Sequence, residues 1–250
     1  MIRIVNFASG SKGNFTLIED GKTRIVIDCG FSKKAAESML NSENLSISDI
    51  DFVLFTHSHK DHILGEENFE ASKKYALSKT LEKGTFNVMK LNISYQFGDF
   101  KVTPIKTSHD TLTPCGFKIE YSSNYVIVYI TDTGTLSQKT IKSIRNANVY
   151  IFESNHDEDM LFNSGRPHFL IDRIYGPKGH LSNILSAHYM AELIGNNTEA
   201  IYLAHLSEEC NTPELALDTY YEVFNKLGVS IDGIKLDTLS QREKTIYVKN

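Results

Sequence analysis

No stretch of the chain approaches the ~20 consecutive apolar residues of a membrane span. Its start, Met1-Ile2-Arg3-Ile4-Val5-Asn6-Phe7, alternates like a strand, with neither the charged opening nor the apolar stretch of a secretory leader. Cysteine is scarce: Cys29, Cys115 and Cys210 are odd in number and lack CxxC spacing, which argues against a disulfide framework. They read as reduced, buried thiols, and the expected compartment is cytoplasmic. Net positive charge is also missing, since the formal balance is −5 with nine histidines counted neutral. That gives no support for a strongly basic nucleic-acid binder and confines any phosphate-tracking surface to a local patch. No linker rich in Pro, Gly or Ser, no low-complexity tract and no repeat of roughly 20–50 residues divides the chain. Residues 1–250 are therefore expected to form a single domain whose core needs no staples.

What is present is concentrated in one segment. Thr56-His57-Ser58-His59-Lys60-Asp61-His62 follows the apolar run Asp51-Phe52-Val53-Leu54-Phe55. Side chains two apart on an extended chain share a face, so His57 and His59 can reach one metal ion. Asp61 and His62 fall where the chain turns and can reach a second. A solvated, His-rich loop is the bland alternative, but such a cluster directly after a buried-type strand is a strong metal signal.

Strand-like runs cover residues 5–7, 15–19, 23–28, 51–55, 100–106, 116–121, 126–130, 149–152, 200–203, 233–235 and 245–248. Helical spacing covers 32–40, most of 61–75, 137–145, 157–162, 182–194 and 213–227. Interleaved strands and helices favour sheets between helix layers. Other titratable residues sit where strands end: His109 after 100–106, Asp132 after the most apolar strand, and His205 after 200–203. Each alone reads as a loop histidine or a turn former; together with the first motif they complete a dinuclear donor set. His180 precedes a helix whose N-cap is Ser182, where free N–H groups favour an anion, so it can donate a proton to a phosphate oxygen or leaving group.

His57-Ser58-His59-Lys60-Asp61-His62, followed by His109, Asp132 and His205 in that order, resembles the metallo-β-lactamase superfamily. The opening Ala8-Ser9-Gly10-Ser11-Lys12-Gly13-Asn14, the run Glu153-Ser154-Asn155-His156-Asp157 and the segment Gly179-His180-Leu181-Ser182-Asn183 are similar to its YycJ/VicX/WalJ branch. The resemblance implies an α/β fold, the four-layer αββα metallo-β-lactamase sandwich, with the metals at one edge. It implies a metal-dependent phosphodiesterase with 5′-to-3′ DNA exonuclease activity. It also assigns His57, His59 and His109 to a first metal, Asp61, His62 and His205 to a second, and Asp132 to a bridge. His180 then assists the leaving group or holds the scissile phosphate, and Asp61 additionally orients His180 or the nucleophile. The expected cofactors are two divalent ions, zinc or manganese with iron also compatible, which lower the pKa of a shared water.

Substrate contacts are expected from Ser9, Ser11 and Asn14 in the glycine-rich loop, unless that loop is an ordinary hairpin turn. Arg166, Arg173 and Lys178 form the most basic stretch leading to His180 and either track a phosphate backbone or make a solvated helix face. His156 is expected near the site, and Asp28 as a loop organiser behind it. DNA is the expected partner. The acidic net charge keeps a small-molecule phosphodiesterase, acting on cyclic phosphates or nucleotides, as a rival. A regulatory protein without turnover is disfavoured by the completeness of the donor set.

Overall fold

The structure is a computed structural model describing residues 1–81, 86–122 and 124–249. It divides into two compact units: Met1–Pro104, Thr111–Cys115 and Leu239–Asn250 form one, Ile105–Asp110 and Gly116–Thr238 the other.

The first unit starts as an antiparallel meander of β1 (Ile2–Ala8), β2 (Phe15–Glu19) and β3 (Arg24–Ile27). Asp20 closes the β2–β3 turn, its Oδ1 accepting from Lys22 N (2.8 Å) and Thr23 N (2.7 Å). After α1 (Lys33–Asn41) the sheet continues in parallel through β4 (Phe52–Phe55). Following α2 (Lys60–Ile63), it extends through β5 (Lys74–Leu77) and β6 (Asn87–Met89). Its core packs Ala36 and Leu40 of α1 against Val5, Phe15, Leu17, Val26, Val53 and Phe55. Each such large side chain contributes roughly 1.5–3 kcal/mol by leaving water. A hairpin of β7 (Tyr95–Phe97) and β8 (Phe100–Lys106) follows, and the chain passes into the second unit within β8.

In the second unit, β9 (Cys115–Tyr121) runs antiparallel to β10 (Tyr125–Ile130). After α3 (Gln138–Ile144) comes β11 (Val149–Glu153), parallel to β10. Two short helices, α4 (Glu158–Phe162) and α5 (His168–Tyr175), precede α6 (Asn183–Leu193). Then β12 (Ala200–Ala204), α7 (Pro213–Leu227) and β13 (Lys235–Thr238) complete the parallel order β13-β12-β11-β10. The near-continuous apolar runs of β10, β11 and β12 match strands buried on both faces. Ile141, Met190, Leu193, Tyr220 and Phe224 pack over Val128, Ile130, Tyr150, Phe152 and Leu203. Thr212 caps α7, its Oγ1 accepting from Leu215 N at 3.1 Å, with Pro213 in the first turn. The last strand, β14 (Thr245–Lys249), returns to the first unit and pairs antiparallel with β1.

The helix expected over most of residues 61–75 is one turn, α2, followed by two 3₁₀ turns and then β5. The cause is local: Gly65 N donates to Cys29 O (2.8 Å) instead of to the carbonyl four residues back, so the chain leaves the helix there. The sequence reading also missed β6, β7 and α5. The last is bracketed by Pro167 and by Gly176-Pro177, and those residues are its start and stop signals.

Candidate functional site

In the first unit the ligand-type residues follow the carboxyl ends of two parallel strands. Asp28 comes directly after β3, and His57 lies two residues beyond β4. Asp28 is fully buried and accepts from Thr56 N (2.8 Å), from the Thr56 hydroxyl (2.9 Å) and from His62 Nδ1 (2.8 Å). Because the Thr56 hydroxyl donates to Asp28, its oxygen accepts from His57 Nδ1 (3.0 Å). One carboxylate therefore sets the tautomer of two imidazoles and turns both Nε2 lone pairs outward, as metal-binding histidines require. His57 Nε2 lies 3.1 Å from His59 Nδ1, and His62 Nε2 lies 3.4 Å from Asp61 Oδ2. The close approach needs Gly30, where a Cβ would overlap the carbonyl oxygen of Asp61.

The second unit gathers His109, Asp132, Glu153, His180 and His205. His109 Nδ1 donates to Gly179 O (2.9 Å), which leaves Nε2 as its lone pair, 3.8 Å from Asp132 Oδ1. His205 Nε2 is 3.5 Å from the same oxygen, and His180 Nδ1 is 3.7 Å away. One buried carboxylate oxygen thus faces three imidazoles. Parallel pairing puts Glu153 level with Ala204, beside His205. Glu153 Oε1 accepts from His180 Nδ1 at 2.7 Å, and its Oε2 from Thr133 N (2.8 Å) and Leu181 N (3.2 Å). With both oxygens engaged, Glu153 acts as an orienter of His180. Burial alone would raise the Glu153 carboxyl; the charge and hydrogen bond of His180 outweigh it and hold the group down at about 2. Burial lowers His109, favouring the neutral form that binds metal. His180 keeps 20% of its side chain exposed against 3% for His109 and 2% for His205, so it is the imidazole of this set open to a substrate.

Three of these residues have left-handed backbones although none is glycine: Asp28 at φ 57°, Asp132 at 56° and His205 at 57°. Each stands just past a strand end, where the turn aims the side chain off the sheet edge. Such a conformation costs an L-residue roughly 1–2 kcal/mol, less for Asp and His, which hydrogen-bond locally. The donor set therefore fits divalent cations on chemistry and geometry: neutral imidazoles with fixed tautomers around buried carboxylates, held in place at a cost in backbone energy. Cys29 and Cys115 do not compete, because burial pushes the first thiol up to about 12 and the second higher still.

The expected substrate residues are placed variously. Ser9 and Asn14 are buried and Ser11 is exposed. Asn14 accepts from Gly10 N through Oδ1 (2.9 Å), and its Nδ2 lies 3.0 Å from His62 Nε2, so its amide braces the loop and the motif. Arg166 pairs with Glu209 (2.6 Å) and Arg173 with Asp110 (2.5 Å), while Lys178 is exposed. Sequence reasoning left Glu153 without a role. An acidic residue closing the apolar run 149–152 was the available signal.

His156 is buried, and its Nε2 has no hydrogen-bond partner among the described residues. Burial lowers it from 6.5 to about 4. The unfolded chain takes up this proton first, so the stability His156 contributes is complete above pH 6.5 and is lost as pH falls toward 4. Urea unfolding of the metal-free protein is expected to show a loss of about 2 kcal/mol between pH 7 and pH 5 that His156→Gln lacks. Parallel profiles for the two proteins would reject the assignment.

A family profile described as "Beta-lactamase superfamily domain" matches residues 23–205. The chain belongs to the metallo-β-lactamase superfamily. "Exodeoxyribonuclease YycJ" of Bacillus anthracis is 34% identical over 239 residues, covering 90% of this chain and 89% of that protein. "Exodeoxyribonuclease WalJ" of Streptococcus pneumoniae is 32% identical over 248 residues, covering 92% of each. These matches put the chain on the YycJ/WalJ branch of the superfamily. Among solved structures, the metallo-β-lactamase fold protein YhfI from Bacillus subtilis superposes with a TM-score of 0.72 at 17% identity, covering 99% of this chain and 100% of that one. The α/β metallo-β-lactamase fold expected from the motifs is the fold the chain adopts. Fold, family and donor set together make this superfamily member a metal-dependent hydrolase. Among the described residues, no helix is long and apolar enough to cross a membrane.

Proposed function

We propose that the chain is a 5′-to-3′ DNA exonuclease whose two residue sets work as one hydrolase domain around two divalent ions. His57, His59 and His109 would hold the first ion, Asp61, His62 and His205 the second, with Asp132 shared between them. Zinc or manganese suits this mixture of imidazole and carboxylate, and iron is compatible with it. Bound there, the ions supply Lewis acidity and a water activated near neutral pH. The protein supplies the rest. Glu153 Oε1 accepts a hydrogen bond from His180 Nδ1–H (2.7 Å), which leaves Nε2 as the atom that holds and delivers a proton to the leaving oxygen. Arg166, Arg173 and Lys178 provide cations for the phosphates that follow, and Ser11 with the loop around it provides donors at the entrance. The three free, buried cysteines fit a cytoplasmic setting.

One observation carries this reading: a complete set of donors, oriented by Asp28, Gly179 and Glu153, in a chain whose full-length relatives are named exodeoxyribonucleases. The net charge of −5 favours a second reading, a phosphodiesterase of small molecules. End-labelled duplex and single-stranded DNA, RNA and bis-p-nitrophenyl phosphate, incubated with manganese- or zinc-loaded protein, separate the two. Shortening of DNA from its 5′ end, with rates falling steeply as salt rises, is the expected result. Turnover of the small diester alone would replace it with the second reading.

A further inference from the structure

Between Glu153 and His180 the chain leaves the sheet and builds a lobe from α4 and α5. Its aliphatic residues Leu161 and Ile171 are buried, but its aromatics are not: Phe162 is 51% exposed, Phe169 74% and Tyr175 49%. The Phe162 and Tyr175 rings stand 5.2 Å apart between centroids, tilted by 60°. Tyr175 in turn stands 6.3 Å from the buried ring of His156, near edge-on at 62°. The three rings make a ladder that rises from the segment just after β11, which carries Asn155, to open solvent. Its inner end is rigid, since Asn155 donates to His205 O at 2.7 Å and His156 O accepts from Asn183 N at 2.8 Å.

The cations of the lobe flank this ladder in sequence. Arg173 pairs with Asp110, whose other oxygen lies 3.4 Å from His109 Nε2, so the basic edge begins one carboxylate away from a candidate metal ligand. Lys178 has no ion pair among the described residues. Flat rings with cations alongside suit an occupant that is itself flat rings on an anionic thread. A second copy of this acidic chain, or an apolar peptide, would match only the rings.

We infer that Phe162 and Tyr175 form a stacking platform for the bases of single-stranded DNA, with Arg166, Arg173 and Lys178 taking its phosphates. The inference rests on the exonuclease reading above and gives it a means of holding any sequence, because every base offers a face to stack on. Lys178 is free to meet a phosphate directly, whereas Arg166 and Arg173 reach one by exchanging Glu209 and Asp110 for the anionic thread.

The test uses metal-free protein, so that binding is read without hydrolysis. A single-stranded oligonucleotide carrying 2-aminopurine near its 5′ end is titrated against wild type, Phe162→Ala/Tyr175→Ala and Phe162→Trp/Tyr175→Trp, with circular dichroism to check folding. Quenching by wild type and by the Trp pair, and at least about ten-fold weaker binding by the Ala pair, is expected. Lys178→Gln should lower the slope of log affinity against log salt by about one. If metal-loaded wild type degrades DNA while the Ala pair binds the probe as tightly as wild type, the platform is rejected and the exonuclease reading stands. If wild type cleaves only the small diester, the exonuclease reading fails and the platform falls with it. Dimeric wild type and monomeric Ala pair in sedimentation, with no change in quenching, would assign the face to self-association and overturn the inference.

Discussion

Replacing Asp132 by alanine is expected to lower turnover at least ~10²-fold and to strip bound metal from the protein. The expectation follows from what surrounds its Oδ1: His205 Nε2 at 3.5 Å, His180 Nδ1 at 3.7 Å and His109 Nε2 at 3.8 Å, all around a residue only 2% exposed. Glu153, the other buried carboxylate of this set, is already engaged by His180, Thr133 and Leu181, and a methyl group cannot neutralise a cation. Asp132→Asn separates charge from shape, since it keeps the size and one oxygen but gives up the negative charge. Elemental analysis alongside rate measurement decides the matter. A variant that retains its full metal content and its activity would remove Asp132 from the donor set.

His180→Ala should behave in the opposite way, retaining the ions and losing about 10²–10⁴-fold in rate. Its Nδ1 is committed to Glu153 at 2.7 Å, and its partial exposure suits contact with a substrate better than ligation. Glu153→Gln tests the same arrangement from behind. The amide can still hydrogen-bond to the imidazole but carries no counter-charge for its protonated form, so the alkaline limb of the pH–rate profile should move to lower pH while metal content stays constant. Loss of metal from His180→Ala would transfer that residue to the ligands.

Contiguous chemistry was legible in the sequence, and chemistry assembled by strand pairing was less so. His57, His59, Asp61 and His62 declare themselves because a short segment after a buried strand has few bland uses for so many donors. Glu153 went without a role because its importance depends on register: only the pairing of β11 with β12 sets it level with Ala204, beside His205. From sequence alone the glycine-rich loop offers Asn14 either as a donor for a phosphate or as part of an ordinary turn. In the fold its amide serves Gly10 and lies against His62; a loop's sequence does not say which way its polar groups turn. The long helix expected after His62 stops at Gly65 because a distant carbonyl, that of Cys29, captures its N–H. The architecture was easier to read, since the apolar runs of β10, β11 and β12 and the capped α7 carry their signals locally.

The left-handed turns at Asp28, Asp132 and His205 set durability against usefulness. Glycine at any of the three would relax the main chain by up to roughly 1 kcal/mol while erasing a functional side chain. A laboratory population selected only for surviving heat would drop that strain first at Asp132, whose carboxylate faces a ring of imidazoles, and lose its reaction with it. Asp28 would stay, because its loss removes the buried acceptor of Thr56 N and His62 Nδ1. Selection for turnover keeps these awkward corners in place.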